Sequence, residues 1–187
     1  MSRWDQRYQD STAPGEPCWV LQNNLHLLPP TGRGLDLACG LGANALLLAR
    51  RGLDSHAWDS SSVALKKLED FASSKQLAVN TLQRDVETNP PEPHSFDVII
   101  VSQFLYRPIF HALITALKPG GLLYYQTFHT KKVSEYGPSN PDYLLQPGEL
   151  LQQLADLQLV FYREDADIGR ADQGLRDCSY FVGRKVV

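Results

Sequence analysis

Two glycines and two carboxylates carry the clearest chemistry in the sequence. Gly40 and Gly42 stand one residue apart after a short apolar run over residues 34–38, and residues 43–51 that follow are strong helix formers ended by Gly52. The order is strand, glycine turn, helix. Glycine lets the backbone turn tightly and approach a ligand closely, and the helix beyond it begins with free N–H groups. Asp36 lies inside the strand, four residues before Gly40. A buried carboxylate is costly unless something pairs with it, so a partner is expected at this turn. Asp59 closes a second strand over residues 55–58. An acid at that point of a doubly wound sheet holds ribose hydroxyls, and a planar carboxylate suits a vicinal diol. The alternative role for Asp59 is to cap the helix that follows.

The elements that must position these groups can be read from pattern. Ser60–Ser62 supply cap chemistry for a helix over residues 63–74. Residues 77–82 alternate as a third strand. Residues 88–94 (TNPPEPH) are a loop, and residues 96–102 are a near-continuous apolar run typical of a central parallel strand. Ligands in such sheets bind outside the carboxyl ends of the strands, so Gln103, Phe104 and Tyr106 should face the reacting groups. Pro108 opens a helix through Leu117, residues 118–121 form a turn, and residues 122–128 form a fifth strand. Residues 130–146 are a long irregular stretch, a length that is usually functional or disordered. A helix over 148–156 and two closing strands, 157–163 and 179–185, complete the chain. The expected fold is α/β, a doubly wound, seven-stranded, mostly parallel sheet with its last strand antiparallel.

One domain is expected over residues 1–187, with a cap or arm over 1–30 and a core over 31–187. Residues 20–28 read as a short amphipathic helix stopped by Pro29-Pro30. Trp4, Arg7, Tyr8 and Trp19 are many large side chains for a loose tail, so this segment is either an arm packed on the core or a cap over a ligand. Trp4 and Tyr8, four apart, would share a helical face.

Composition narrows the function. The 187 residues are 43% hydrophobic with a formal net charge of −3 and a pI near 5.9. There is no 18-residue apolar run and no secretory pattern at the start. Cys18, Cys39 and Cys178 show no metal spacing and read as reduced thiols of a cytoplasmic protein. No basic cluster exceeds two residues, which argues against a nucleic-acid substrate. No Ser-His-Asp set or metal site is visible.

The stretch Asp36-Leu-Ala-Cys-Gly-Leu-Gly42, with Asp59 and Asp85-Val86 downstream and Leu117-Lys-Pro-Gly-Gly121 before an apolar strand, resembles the class I S-adenosylmethionine-dependent methyltransferases over almost the whole chain. A closer resemblance is to small tellurite-resistance-type methyltransferases, through Trp4…Tyr8, Phe104-Leu-Tyr-Arg-Pro108, Tyr125-Gln-Thr-Phe128 and the run from Gly137 to Leu150. The resemblance implies a Rossmann-like fold and S-adenosylmethionine as cofactor, with S-adenosylhomocysteine as product. It implies a cofactor site of Trp4, Arg7, Tyr8, Asp36, Ala38, Cys39, Gly40, Gly42, Asn44, Asp59, Ser60, Asp85, Val86 and Gln103. Asp36 would brace the glycine loop and help hold the methionyl ammonium, and Asp85 with the Val86 amide would meet the adenine. Tyr106, Arg107 and His129 are the candidate catalytic residues near the acceptor. The expected reaction is direct methyl transfer to a small molecule, where a base is needed only if the acceptor must lose a proton. Members of the closer group often carry Glu and a basic residue where this chain has Gln126 and Gln146, which weakens the case for an anionic acceptor. Three other readings stay open: an RNA or protein methyltransferase of this fold, a dinucleotide-binding reductase, since Gly40-Leu-Gly42-Ala-Asn-Ala45 also fits G-x-G-x-x-G/A, and a non-catalytic adenosyl-binding module. Asn89-Pro-Pro imitates an amino-methyltransferase motif but precedes the fourth strand instead of following it.

Overall fold

The structure is a computed structural model that describes residues 3–186. Its seven strands are β1 (Arg33–Leu37), β2 (Asp54–Asp59), β3 (Val79–Gln83), β4 (Phe96–Ser102), β5 (Leu117–Phe128), β6 (Gln158–Arg163) and β7 (Cys178–Arg184). They form one sheet in the order β3-β2-β1-β4-β5-β7-β6. β1 to β5 pair in parallel, and β7 runs antiparallel to both of its neighbours. The chain winds outward from β1 to β3 and then returns to β4 on the other side of β1. The switch point therefore lies between the carboxyl ends of β1 and β4, where such sheets hold ligands.

The central strands are buried on both faces, and their side chains divide by the two-residue period of a strand. Ile99, Val101, Leu123 and Tyr125 enter one core, and Val98, Ile100, Leu122 and Tyr124 enter the other. On the first face lie α5 (Phe110–Ala116) and α6 (Glu149–Gln153). On the second lie α3 (Ala43–Arg50), α4 (Ser62–Ser74) and the arm that precedes β1. Phe96 breaks the alternation because the register jumps between Phe96↔Leu117 and Val98↔Leu122.

Several elements differ from expectation. The helix expected over residues 20–28 divides into α2 (Trp19–Gln22) and a 3-10 turn, Leu25–Leu27. The side chains of Asn23 and Asn24 bond back to the Trp19 and Val20 carbonyls and compete with the helix at the break. β5 starts at Leu117 instead of residue 122. The expected Lys118–Gly121 turn survives as a bulge in that strand, and Gly120 and Gly121 pair with Lys185. The helix after Tyr106 begins as a 3-10 turn, Arg107–Ile109. α6 is shorter than expected, because Leu154 and Leu157 leave it to enter the core.

The N-terminal thirty residues behave as two parts. Residues 18–28 belong to the core: Val20 and Leu21 have no exposure, Tyr124 donates from its hydroxyl to the Asn24 carbonyl, and Trp19 packs on Tyr180 and Phe161. In α1 (Arg3–Tyr8) the single buried residue is Asp5. Truncating Leu21 to Ala should therefore destabilise the protein by about 2–5 kcal/mol, measured as a lower urea midpoint with an unchanged slope.

Candidate functional site

Asp36 is fully buried at the centre of the site. Its Oδ2 accepts from the Ala45 amide at 3.1 Å and its Oδ1 from Asn44 Nδ2 at 3.1 Å. It thereby satisfies one of the free amides in the first turn of α3. Asn44 extends the tie. Its Nδ2 also donates to Ser102 Oγ at the end of β4, and its Oδ1 accepts from the Cys18 amide at 2.8 Å. One buried amide thus joins β1, β4, α3 and the arm. Asn44, expected against the cofactor, is engaged in this tie instead. Burial raises the Asp36 carboxyl to about 7, against the pull of its two hydrogen bonds.

The glycine turn hangs between β1 and β2. Gly40 donates from its amide to Asp59 Oδ2 at 2.7 Å, and Asp59 Oδ1 accepts from the Ser61 amide at 2.9 Å. Asp59 is 7% exposed, and burial raises its carboxyl above the usual range. Both roles weighed for it are compatible, since it holds the glycine turn and the entry to α4 with lone pairs to spare. Gly40 and Gly42 have left-handed backbones, and they serve different ends. A Cβ on Gly40 would stand 2.6 Å from the Tyr8 hydroxyl, which closes over it, whereas a Cβ on Gly42 would strike the Leu68 side chain of α4. Gly42 allows two helices to approach closely, and Gly40 lies on the face that Tyr8 covers.

Two other residues have positive φ at the switch point: Ala38 at 55°, just past β1, and Gln103 at 53°, just past β4. For residues with a Cβ this is costly by about 1–3 kcal/mol, and such strain collects at functional sites. Cys39 lies under Tyr8, its amide bonded to the Trp58 carbonyl, and burial pushes its thiol well above the ordinary range. Asp85 is exposed past β3, where Oδ1 accepts from the Glu87 amide, and Val86 is buried beside it. Ser60 offers its carbonyl to Gln83. Asp36, Ala38, Cys39, Gly40, Asp59, Ser60, Asp85, Val86 and Gln103 all lie at the carboxyl ends of β1 to β4, with Tyr8 above the turn.

Trp4 and Arg7 stand beside this group, Arg7 near enough for its charge to act on the Tyr8 hydroxyl. Asp5 and Tyr8, three apart, make the inward face of α1, and Trp4 and Arg7 make the next face over. Trp4 is 41% exposed, with the Arg3 and Arg7 guanidiniums within 6 Å of its ring at 5.7 and 5.8 Å.

On the acceptor side, Arg107 is committed elsewhere. It forms a two-point ion pair with Glu149 at 2.7 and 3.0 Å and donates to the Asp142 and Leu144 carbonyls. Each partner holds the other charged: burial, the largest effect on Glu149, would raise its carboxyl, but the Arg107 bonds and the Gln146 amide together bring it below the usual range, and the bonds to Glu149 raise the Arg107 guanidinium. The pair pins residues 142–149 to the start of α5. His129 is buried behind the end of β5, where Nδ1 accepts from the Lys131 amide at 3.0 Å. Its Nε2 has no hydrogen-bond partner among the described residues, and burial lowers its pKa. Gln126 accepts from the Val20 amide and holds the arm. Tyr106 and Phe104 remain half-buried at the end of β4. Sequence reasoning missed Tyr136, whose hydroxyl meets Gln103 Nε2 at 3.4 Å and whose ring stacks edge-on with Phe128 at 5.4 Å. It lies in the irregular 130–146 stretch, where no periodicity marks an inward face. Among the described residues no cluster of His, Cys, Asp or Glu could hold a metal, and no helix is long and apolar enough to cross a membrane.

Residues 35–121 match the family described as "Methyltransferase domain". That match covers somewhat less than half of the chain and marks the segment as a methyltransferase domain, set in a fold shared with S-adenosylmethionine-dependent methyltransferases. A curated relative, YqeM of Bacillus subtilis (strain 168), itself classed with methyltransferases, is 29% identical over 122 residues, 60% of this chain. The chain spans about half the length of that relative, 49%. Among solved structures it is similar to TehB from Haemophilus influenzae, with a TM-score of 0.72 and 18% identity over 97% of this chain and 65% of that one. It is also similar to an S-adenosylmethionine-dependent methyltransferase from Methanosarcina mazei, with a TM-score of 0.70 and 18% identity over 92% of this chain and 100% of that one. At these identities the structural likeness is one of fold.

The raised Asp36 carboxyl sets a pH dependence. Its folded value, about 7, lies above its ordinary value of 3.8. The native state therefore holds a proton that the unfolded chain has lost between these limits, and stability falls as pH rises through that window. The loss from this group is on the order of 4 kcal/mol, complete above about pH 7. Thermal melts of the parent and of Asp36→Asn between pH 4 and 8 check this. The difference between the two curves should change across the window and be flat above it.

Proposed function

We propose that the protein binds S-adenosylmethionine at the β1–β4 switch point and transfers its methyl group to a neutral small molecule. The observation that carries the reading is the bond from the Gly40 amide to Asp59, which sets a left-handed glycine backbone and a carboxylate with lone pairs to spare side by side at the carboxyl ends of adjacent strands. The residues present fit the cofactor. Asp59 retains lone pairs for ribose hydroxyls, Gly40 lets a ligand lie against the backbone, and Asp85 with the Val86 amide stands at the next strand end for the adenine edge. A dinucleotide is disfavoured, because residues 35–121, which hold the glycine turn, match a methyltransferase domain. When bound, S-adenosylmethionine supplies a methyl group already activated on a sulfonium.

The protein's own part is to orient the acceptor and exclude water. Arg107 is the one charged residue of the 103–107 segment, and Glu149 neutralises it. What faces the acceptor is then Gln103, Phe104, Tyr106 and Tyr136, aromatic surfaces with neutral hydrogen-bonding groups. That supports a neutral, partly aromatic acceptor over an anion or nucleic acid, and a nucleophile with no proton for a strong base to remove. Arg107 and His129 act in this reading as positioning residues for the 129–149 segment, and Tyr106 touches the acceptor.

Calorimetry with S-adenosylhomocysteine tests the cofactor half. The parent should bind, and Asp59→Asn should bind about ten- to a hundredfold more weakly, the cost of losing charge-assisted hydrogen bonds of roughly 1.5–3 kcal/mol. An S-adenosylhomocysteine release assay with heteroaromatic amines, phenols and thiols, run beside bulk tRNA and a protein lysate, tests the acceptor half. Turnover confined to tRNA or protein would overturn it.

A further inference from the structure

α1 is held on the rest of the molecule by charges at its two ends, and Tyr8 is its one aromatic side chain turned inward. Asp5, in its first turn, accepts from Ser61 Oγ at 2.8 Å and from the Val63 amide at 3.4 Å, at the open N–H end of α4. Lys67, one turn into α4, donates from Nζ to the carbonyls of Tyr8 at 2.7 Å, Gln9 at 2.6 Å and Ser11 at 2.7 Å, at the open C=O end of α1. Each helix thus receives at its pole the charge that the pole favours. Ser61 serves both sides, since its hydroxyl also accepts from the Ala64 amide and caps α4.

Tyr8 hangs between these two points. Its hydroxyl lies on Gly40, near enough to leave no room for a Cβ there, and burial with the neighbouring Asp59 charge raises it to about 12, so it stays a neutral phenol at any working pH. Anything held against Gly40 and Asp59 lies beneath Tyr8. The segment contributes little else to the fold: Asp5 is the one buried residue of α1, and Trp4 faces solvent. The link from Gln9 to Pro17 has mostly exposed residues and carries Gly15 between Pro14 and Pro17. The next residue, Cys18, is anchored through its amide to Asn44, and Val20 through its amide to Gln126. A segment with a firm anchor at one end, an exposed link and a mainly polar hold at the other can open without unfolding the core.

We propose that residues 3–11 form a strap, latched to α4 by Asp5 and Lys67, that closes Tyr8 over the glycine turn and gates cofactor entry and release. Asp5 and Lys67 are positioning residues in this scheme, and the gating rests on the proposed use of S-adenosylmethionine. Opening exposes the latch groups and one aromatic ring, that of Tyr8, and leaves both apolar cores closed, so it is local. A closed strap would shield the transfer path from water, a gating role that lids commonly fill.

The test uses the full chain and its Lys67→Met, Lys67→Arg and Asp5→Asn variants. Hydrogen exchange of residues 3–11 without ligand reads the latch alone. Stopped-flow release of S-adenosylhomocysteine reads the gate, and thermal melting reads the fold. Lys67→Met and Asp5→Asn should each speed exchange in residues 3–11 and S-adenosylhomocysteine release by about tenfold or more, with melting within about 2 °C of the parent. Lys67→Arg should recover most of both rates. Unchanged exchange would overturn the latch. Faster exchange with unchanged release would overturn the gate, and a large fall in melting temperature with normal release would make the segment a structural arm. A parent that does not bind S-adenosylhomocysteine would overturn the cofactor reading, while exchange would still decide the latch.

Discussion

The buried carboxylate of Asp36 is the constraint around which the rest is arranged. A charge with no exposure at the centre of a parallel sheet is tolerated only with partners, and its partners are the Ala45 amide and the Asn44 side chain. That requirement fixes where α3 begins. It also places Asn44, which reaches Ser102 on β4 and the amide of Cys18 in the arm. The glycine turn is what remains between a strand end and a helix start so tightly tied. Its Gly40 amide is then free to point at Asp59 on the next strand.

The site is therefore a set of polar ties among strand ends, laid over two apolar cores. The cores supply the stability, through alternating side chains on β4 and β5 that feed both faces. The ties cost burial of two carboxylates, visible in the raised Asp36 and Asp59. They hold backbone groups, a bent Ala38 and a bent Gln103 in place at the switch point. On the acceptor side the same logic recurs with a different pair. Arg107 and Glu149 neutralise each other and bring the irregular 142–149 segment against α5. The charge is used for construction, and the surface left for a ligand is aromatic and neutral.

The N-terminal thirty residues show how one stretch can serve two ends. Residues 18–28 are core, with Val20 and Leu21 fully buried. Residues 3–11 are tied on by Asp5 and Lys67 alone among the charged groups described there. The arm and the cap, weighed as rivals on the sequence, are consecutive pieces of the same segment.

Much of this was legible from residue order. The strand–glycine–helix unit, Asp36 within the strand, Asp59 at the end of the next and the apolar runs of β4 and β5 are local patterns, and local patterns set element type and order. Seven strands ending in a hairpin-like pair follow from them, and the family resemblance supplied the doubly wound order and the reversed last strand. What the order of residues could not specify was which polar group meets which. Whether Asn44 faces a ligand or Asp36, whether Arg107 stays free or pairs with Glu149 forty-two residues away, and whether Gly42 serves a ligand or Leu68 are all long-range matters. So is the inward turn of Tyr8 beside an outward Trp4. A hydrogen bond depends on angstroms in three dimensions, and only the packed sheet brings those partners within reach.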